Sequence, residues 1–237
     1  ATLCLTTAAA ADSRVPGQSV FGQNNYTEYV PGDLPIVISA PHGGRETPGS
    51  IPDRTSGVTD SDANTQELAR TIAEVVHSET GHHVHLIICR LHRRKLDANR
   101  EIAEAAQGSP AAVQAWTEHH AFIEEACTSA VKQYGKAFLI DLHGHGHPDP
   151  RLELGYLHSA MDLADCEDRL NGPSFVRASS LRMIAEQGKQ PYTDLIRGPT
   201  SLGALMEARG FPSTPSPRMP VPTEPYFRGG YTISRHC

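Results

Sequence analysis

The sequence predicts an α/β fold in which helices cover both faces of a mostly parallel, mixed central sheet. Three observations carry this. LPIVISA (34–40), HVHLIICRL (83–91) and KAFLIDLHG (136–144) are continuous apolar runs, as strands buried on both faces tend to be. Segments of helical period alternate with them. His42 and His92 come just past the first two runs and His143 stands at the end of the third, where open α/β sheets bind ligands.

The chain begins ATLCLTTAAAADSR. Its small-residue apolar run resembles the tail of a secretory signal peptide. Residues 1–11 are therefore set apart, as a signal remnant or disordered start, and 12–237 are taken as one domain. Asn25-Tyr26-Thr27 is a glycosylation sequon, in keeping with a secreted glycoprotein. The five cysteines are Cys4, Cys89, Cys127, Cys166 and Cys237. If Cys4 leaves with the signal, the remaining four allow up to two disulfides. No apolar run approaches the roughly 18 residues of a membrane-spanning helix.

Residues 12–34, rich in Gly, Pro, Asn and Gln, are expected to be a surface lead-in. The strand at 34–40 stops at Pro41 and the Gly43-Gly44 pair, and a polar loop runs from Arg45 to Thr59. A helix is predicted over 61–81, with Leu68, Ile72, Val75 and Val76 on its buried face and Gly81 closing it. After the strand at 83–91, residues 99–134 form helices broken at Gly108-Ser109-Pro110. A fourth strand is expected at 151–159, with helices over 179–188 and 201–210. The segment 211–230 is Pro-rich and irregular.

The formal charge is −6, and the densest basic cluster is only HRRK at 92–95. A nucleic-acid partner calls for a longer basic stripe. The 38% hydrophobic content supports a sizeable core. Thirteen histidines exceed ordinary usage, but pairs such as His82–His83 and His119–His120 need no function.

Two imidazoles at strand tips plus one carboxylate make a three-ligand zinc site with an open position. His42 and His143 supply the imidazoles, and Asp60, Asp62 and Glu46 are the carboxylates on offer. Asp60 and Asp62 serve equally well as helix N-caps. Asp141 is placed to orient a ligand if the strand ends there. In DLHGHGHP (141–148), His145 and His147 either line the pocket or form a solvated loop. Loop histidines this close rarely all reach one ion at about 2.1 Å. In RLHRRKLDANRE (90–101), Asn99 and Arg100 suit a substrate carboxylate or, equally, a basic turn that caps the next helix.

PHGG (41–44), Asp97-Ala98-Asn99-Arg100, DLHGH (141–145) and PYFRGGYTISRH (225–236) occur in this order. Together they resemble the N-formylglutamate amidohydrolase family, a relative of the zinc carboxypeptidases and the phage poly-γ-glutamate hydrolases. The resemblance covers residues 34–237. It implies a three-layer α/β/α, phosphorylase/hydrolase-like fold around one zinc ion held by His42 and His143. The carboxypeptidases place their acidic ligand three residues after the first histidine, where this chain has Arg45. DANTQELA (62–69) is instead similar to the segment carrying the acidic ligand in the phage hydrolases. That makes Asp62 the expected third ligand, Glu46 the runner-up and Asp60 the third choice. Asn99 and Arg100 match the pair that holds a substrate carboxylate, and His145 lines the substrate pocket. The family pattern sets its general-base Glu beyond the Gly-Gly-Tyr segment, past Cys237. Glu224, before the glycines, is the nearest acid.

The expectation is a secreted, monomeric, zinc-dependent amidohydrolase. Its substrate is a small molecule or peptide with a free carboxylate, and neither nucleic acid nor membrane is a partner. The displaced base favours a rival, a secreted metal-binding protein of the same fold without hydrolysis. A carboxypeptidase-type peptidase shares the site and differs in substrate.

Overall fold

Strands β1 (Val20–Phe21), β2 (Thr27–Val30), β3 (Ile36–Ala40), β4 (His85–Cys89) and β5 (Phe138–Asp141) form the central sheet of the computed structural model, which describes residues 14–237. Their order is β1-β2-β4-β3-β5. β3 lies between β4 and β5 and is parallel to both, while β1 and β2 add antiparallel pairs. The sheet is therefore mixed, with a parallel core. Ser39 stands opposite Asp141. His42 and His143 thus emerge at the same end, beyond the carboxyl ends of adjacent strands.

Alternation along β3 sends Ile38 and Ala40 to one face and Val37 to the other. Helix α1 (Thr65–Thr80) sets Ala69, Ile72, Ala73 and Val76 against Ile38, Ala40, Leu86 and Ile88. Helices α2 (Ile102–Ala106) and α3 (Pro110–Tyr134) follow β4. Ile123 and Ala126 of α3 pack on Tyr29, Val37 and Ile87, on the opposite face. Each fully buried Ile or Leu here contributes about 1.5–3 kcal/mol. The expected face of α1 is rotated: Leu68 and Val75 are 49% and 52% exposed. The inward stripe is the buried Thr65 and Ala69 with the half-buried Ile72, Ala73 and Val76, whose spacing of three and four follows one side of the helix. Gly81 ends α1 with φ of 75°, and its N–H reaches His77 O at 2.8 Å, as predicted for a glycine cap.

Three further expectations are corrected. Residues 12–34 are no mere surface lead-in, since they contain β1 and β2, and Tyr29 is 1% exposed. Glu28 disguised β2 as polar, but it is buried by pairing with Arg70. The fourth strand shrinks to β6 (Leu152–Glu153), which pairs with β7 (Ser213–Thr214) in a separate sheet. It stops because Gly155 lies flat against the Arg228–Gly229 backbone. The stretch between β6 and β7 is a series of short helices: α4 (Ala160–Leu163), α5 (Glu167–Leu170), α6 (Pro173–Ala178), α7 (Arg182–Gln187), α8 (Tyr192–Arg197) and α9 (Leu202–Glu207). They gather a second cluster of Tyr156, Leu163, Tyr192, Ile196 and Tyr226. The last element is α10 (Tyr231–His236). Finally, Cys89, Cys127, Cys166 and Cys237 are all free thiols. Cys89 is sealed in the core while Cys166 is exposed, so burial alone keeps those two apart.

Cys4 and the signal-like start lie outside the described residues. Asn25 of the sequon is exposed, at a φ of 58° in the turn before β2. Among the described residues no helix is long and apolar enough to cross a membrane.

Candidate metal centre

Strand β3 ends at Ala40, and His42 follows with 1% of its surface exposed. The next residue, Gly43, has φ of 93°, and a Cβ there would collide with Thr65 Oγ1. Glycine thus lets the turn press against the start of α1. Thr65 Oγ1 donates to His42 O at 2.9 Å and fixes the turn.

The ring of His42 is oriented from behind. Its Nε2 donates to Asp97 Oδ1 at 2.7 Å. An ionised carboxylate only accepts, so this bond places the ring proton on Nε2. That leaves Nδ1, the nitrogen a metal ion would take, facing Asp62 Oδ2 at 3.4 Å. His143 repeats the pattern: Nε2 meets Asp141 Oδ2 at 2.9 Å, and Nδ1 lies 3.1 Å from Asp62 Oδ2. Asp141 is the last residue of its strand, and its carboxylate reaches the ring two residues on. Gly144 N donates to Asp62 Oδ2 at 3.0 Å.

One donor atom each from His42, Asp62 and His143 therefore lies within 4.8 Å of the others. A tetrahedral ion with bonds of about 2.1 Å has donor–donor edges of about 3.4 Å. The two edges at Asp62 Oδ2, 3.4 and 3.1 Å, fit that size. Each imidazole also carries an outer carboxylate, the usual support of a metal-binding histidine.

The electrostatics favour a cation. Asp62, Asp97 and Asp141 surround the rings, against the guanidiniums of Arg93 and Arg54. Burial pushes the Asp62 carboxyl upward, but bonds from His143, His42 and the Gly144 N–H outweigh it and hold it well below the usual range. Burial likewise opposes ionisation of Asp97, and His42 and Arg93 overcome it. Burial disfavours the charged form of His143, yet Asp141 and Asp62 raise it to about 10. This is a place where positive charge is strongly held. Asp141 Oδ1 is buried without a hydrogen-bond partner.

The other expected residues lie as follows. Glu46 turns to Arg90, at 2.6 Å, and its backbone bridges Leu91, so it stands outside the three-residue group. Asp60 is exposed and also outside it. Helix α1 begins at Thr65 with Asn64 as its cap residue, so Asp62 is not the cap. His92 makes a local turn, its Nδ1 accepting Arg94 N–H at 3.2 Å. Asn99 is 5% exposed; its Nδ2 lies 3.1 Å from His143 Nε2, and its Oδ1 accepts Thr232 N–H at 2.8 Å. Gly230 permits that approach, because a Cβ there would strike the Asn99 amide. Arg100 reaches Glu104 at 3.3 Å and keeps 35% of its side chain exposed. His145 Nε2 donates to Arg151 O at 2.8 Å. Glu224 is exposed, and its Oε2 takes Tyr226 N–H at 2.9 Å within its own turn.

Two residues acquire roles that the sequence did not assign them. Asp97 stood inside a motif without a task, and here it orients His42. Arg93 Nε meets Asp97 Oδ2 at 2.8 Å, and its Nη1 lies 3.4 Å from Asp62 Oδ1. It thereby joins the two carboxylates. The only signal was an Arg and an Asp four apart just after a buried strand.

No protein-family model, curated protein or solved structure matches the chain.

Proposed function

We propose that the chain is a zinc-dependent amidohydrolase with a three-layer α/β/α hydrolase fold, of the kind that its motifs resemble in the N-formylglutamate amidohydrolase family. The observation that carries this is the convergence of two strand-tip imidazoles on Asp62 Oδ2, each ring backed by its own carboxylate. Zinc, when bound, polarises an amide carbonyl and acidifies water.

The chain's own residues supply position and charge. Asp97 and Asp141 turn the rings, and Arg93 steadies the face of Asp62 away from the imidazoles. Arg100 offers the carboxylate anchor, since its partly exposed guanidinium is held, among the described residues, by Glu104 and the Asn99 carbonyl. A substrate carboxylate would take the place of Glu104 there, in the paired geometry that Arg favours. Asn99 has its amide oxygen taken by Thr232 N–H and its Nδ2 packed against His143 Nε2, so it braces the site instead of gripping substrate. Glu224 bonds its own turn, and the reading assigns it no proton transfer. The substrate is a small amide or peptide with a free carboxylate, and the signal-like start supports a secreted enzyme.

The test is hydrolysis of N-acylated glutamates and acidic dipeptides by the purified protein, before and after chelation. Loss of activity on chelation and its return with zinc support the proposal. Activity indifferent to the chelator, or absent with zinc fully bound, contradicts it.

A further inference from the structure

We propose that His145, His147 and Glu153 form a second site for a dication of the zinc class, sharing no ligand with the first. One donor atom from each lies within 4.8 Å of the others. His145 Nε2 donates to Arg151 O at 2.8 Å. A carbonyl only accepts, so the ring's lone pair is on Nδ1, where it takes the backbone N–H of His147 at a long 3.2 Å. Glu153 Oε2 accepts Phe227 N–H at 2.7 Å, which leaves Oε1 toward His147 Nδ1 at 2.9 Å. The His147 ring is stacked on Phe227, with centroids 4.4 Å apart. Each donor is thus held from outside, the arrangement that orients metal ligands.

Two of the three side chains are well covered, His147 at 14% and Glu153 at 3% exposed, and His145 is the exposed edge through which an ion would enter. Arg151 does not fill it. Its guanidinium is bound to Thr223 Oγ1 at 2.5 Å, Thr223 O at 2.6 Å and Pro225 O at 3.1 Å, and reaches Glu153 Oε1 only at 3.3–3.4 Å. Two imidazoles and one carboxylate suit zinc, copper or nickel, whereas calcium and magnesium prefer all-oxygen sets. An ion here clips the loop after β5 to β6 and, through Phe227, to the segment that leads into α10.

The experiment is metal counting on the full chain, equilibrated with excess Zn2+ and freed of loose metal. Two equivalents are expected, with one remaining in His147→Gln and one in His143→Gln. Glu153→Gln keeps the side-chain shape and guards against misfolding as the cause; it is expected to lose the same equivalent as His147→Gln. A wild-type count that His147→Gln and Glu153→Gln leave unchanged overturns the second site. A single wild-type equivalent lost in His147→Gln but kept in His143→Gln upholds this site and sinks the first.

Discussion

Asp97 Oδ1 accepts the Nε2 proton of His42 at 2.7 Å, and that bond decides which ring nitrogen faces Asp62. Asp97 is fully buried, so water cannot replace it. Asp97→Asn is expected to weaken zinc binding about 10–100-fold, the usual cost of losing such an outer partner. Competition against a chromophoric chelator measures this. An unchanged affinity would remove the orienting role.

Arg93 is the cation between Asp97 and Asp62. Arg93→Met removes the cation that joins the two carboxylates, and breaking a buried pair typically costs about 3–5 kcal/mol. Urea denaturation in the presence of chelator separates this from metal loss. A cost under about 1 kcal/mol, the range of an exposed pair, contradicts the geometry.

The rotated face of α1 is tested by contrast. Leu68→Ala is expected to change stability by no more than about 0.5 kcal/mol, because the side chain is half exposed. Ile88→Ala opens a cavity between sheet and α1, at about 2–5 kcal/mol. Equal effects in denaturant titrations would contradict the packing.

Burial pushes His120 down to about 4, with His236 and Arg235 adding to the shift. The folded state therefore binds a proton less readily than the unfolded chain, whose His titrates near 6.5. The stability that this ring contributes is present above about pH 6.5 and is lost as pH falls toward 4. Thermal melts should drop through that window, and His120→Gln should flatten the drop. Identical pH profiles for the two proteins would contradict the burial argument.

The sequence shows the parallel core of the sheet plainly, because strands buried on both faces leave no alternation to misread. It places His42 and His143 at strand tips, and the 39-to-141 register explains why they meet. It does not show β2, because the buried Glu28 depends on a distant Arg70. The short helices between β6 and β7 are also hidden. All six span only four to six residues, too few turns for a periodic signal. Asp62 resembles a cap in sequence, and only the helix start at Thr65 frees it for the rings.

The most direct measurement is an anomalous difference map at the zinc edge from zinc-loaded crystals. The account predicts a peak between His42 Nδ1, Asp62 Oδ2 and His143 Nδ1. Zinc-loaded crystals with no peak at that point would contradict it.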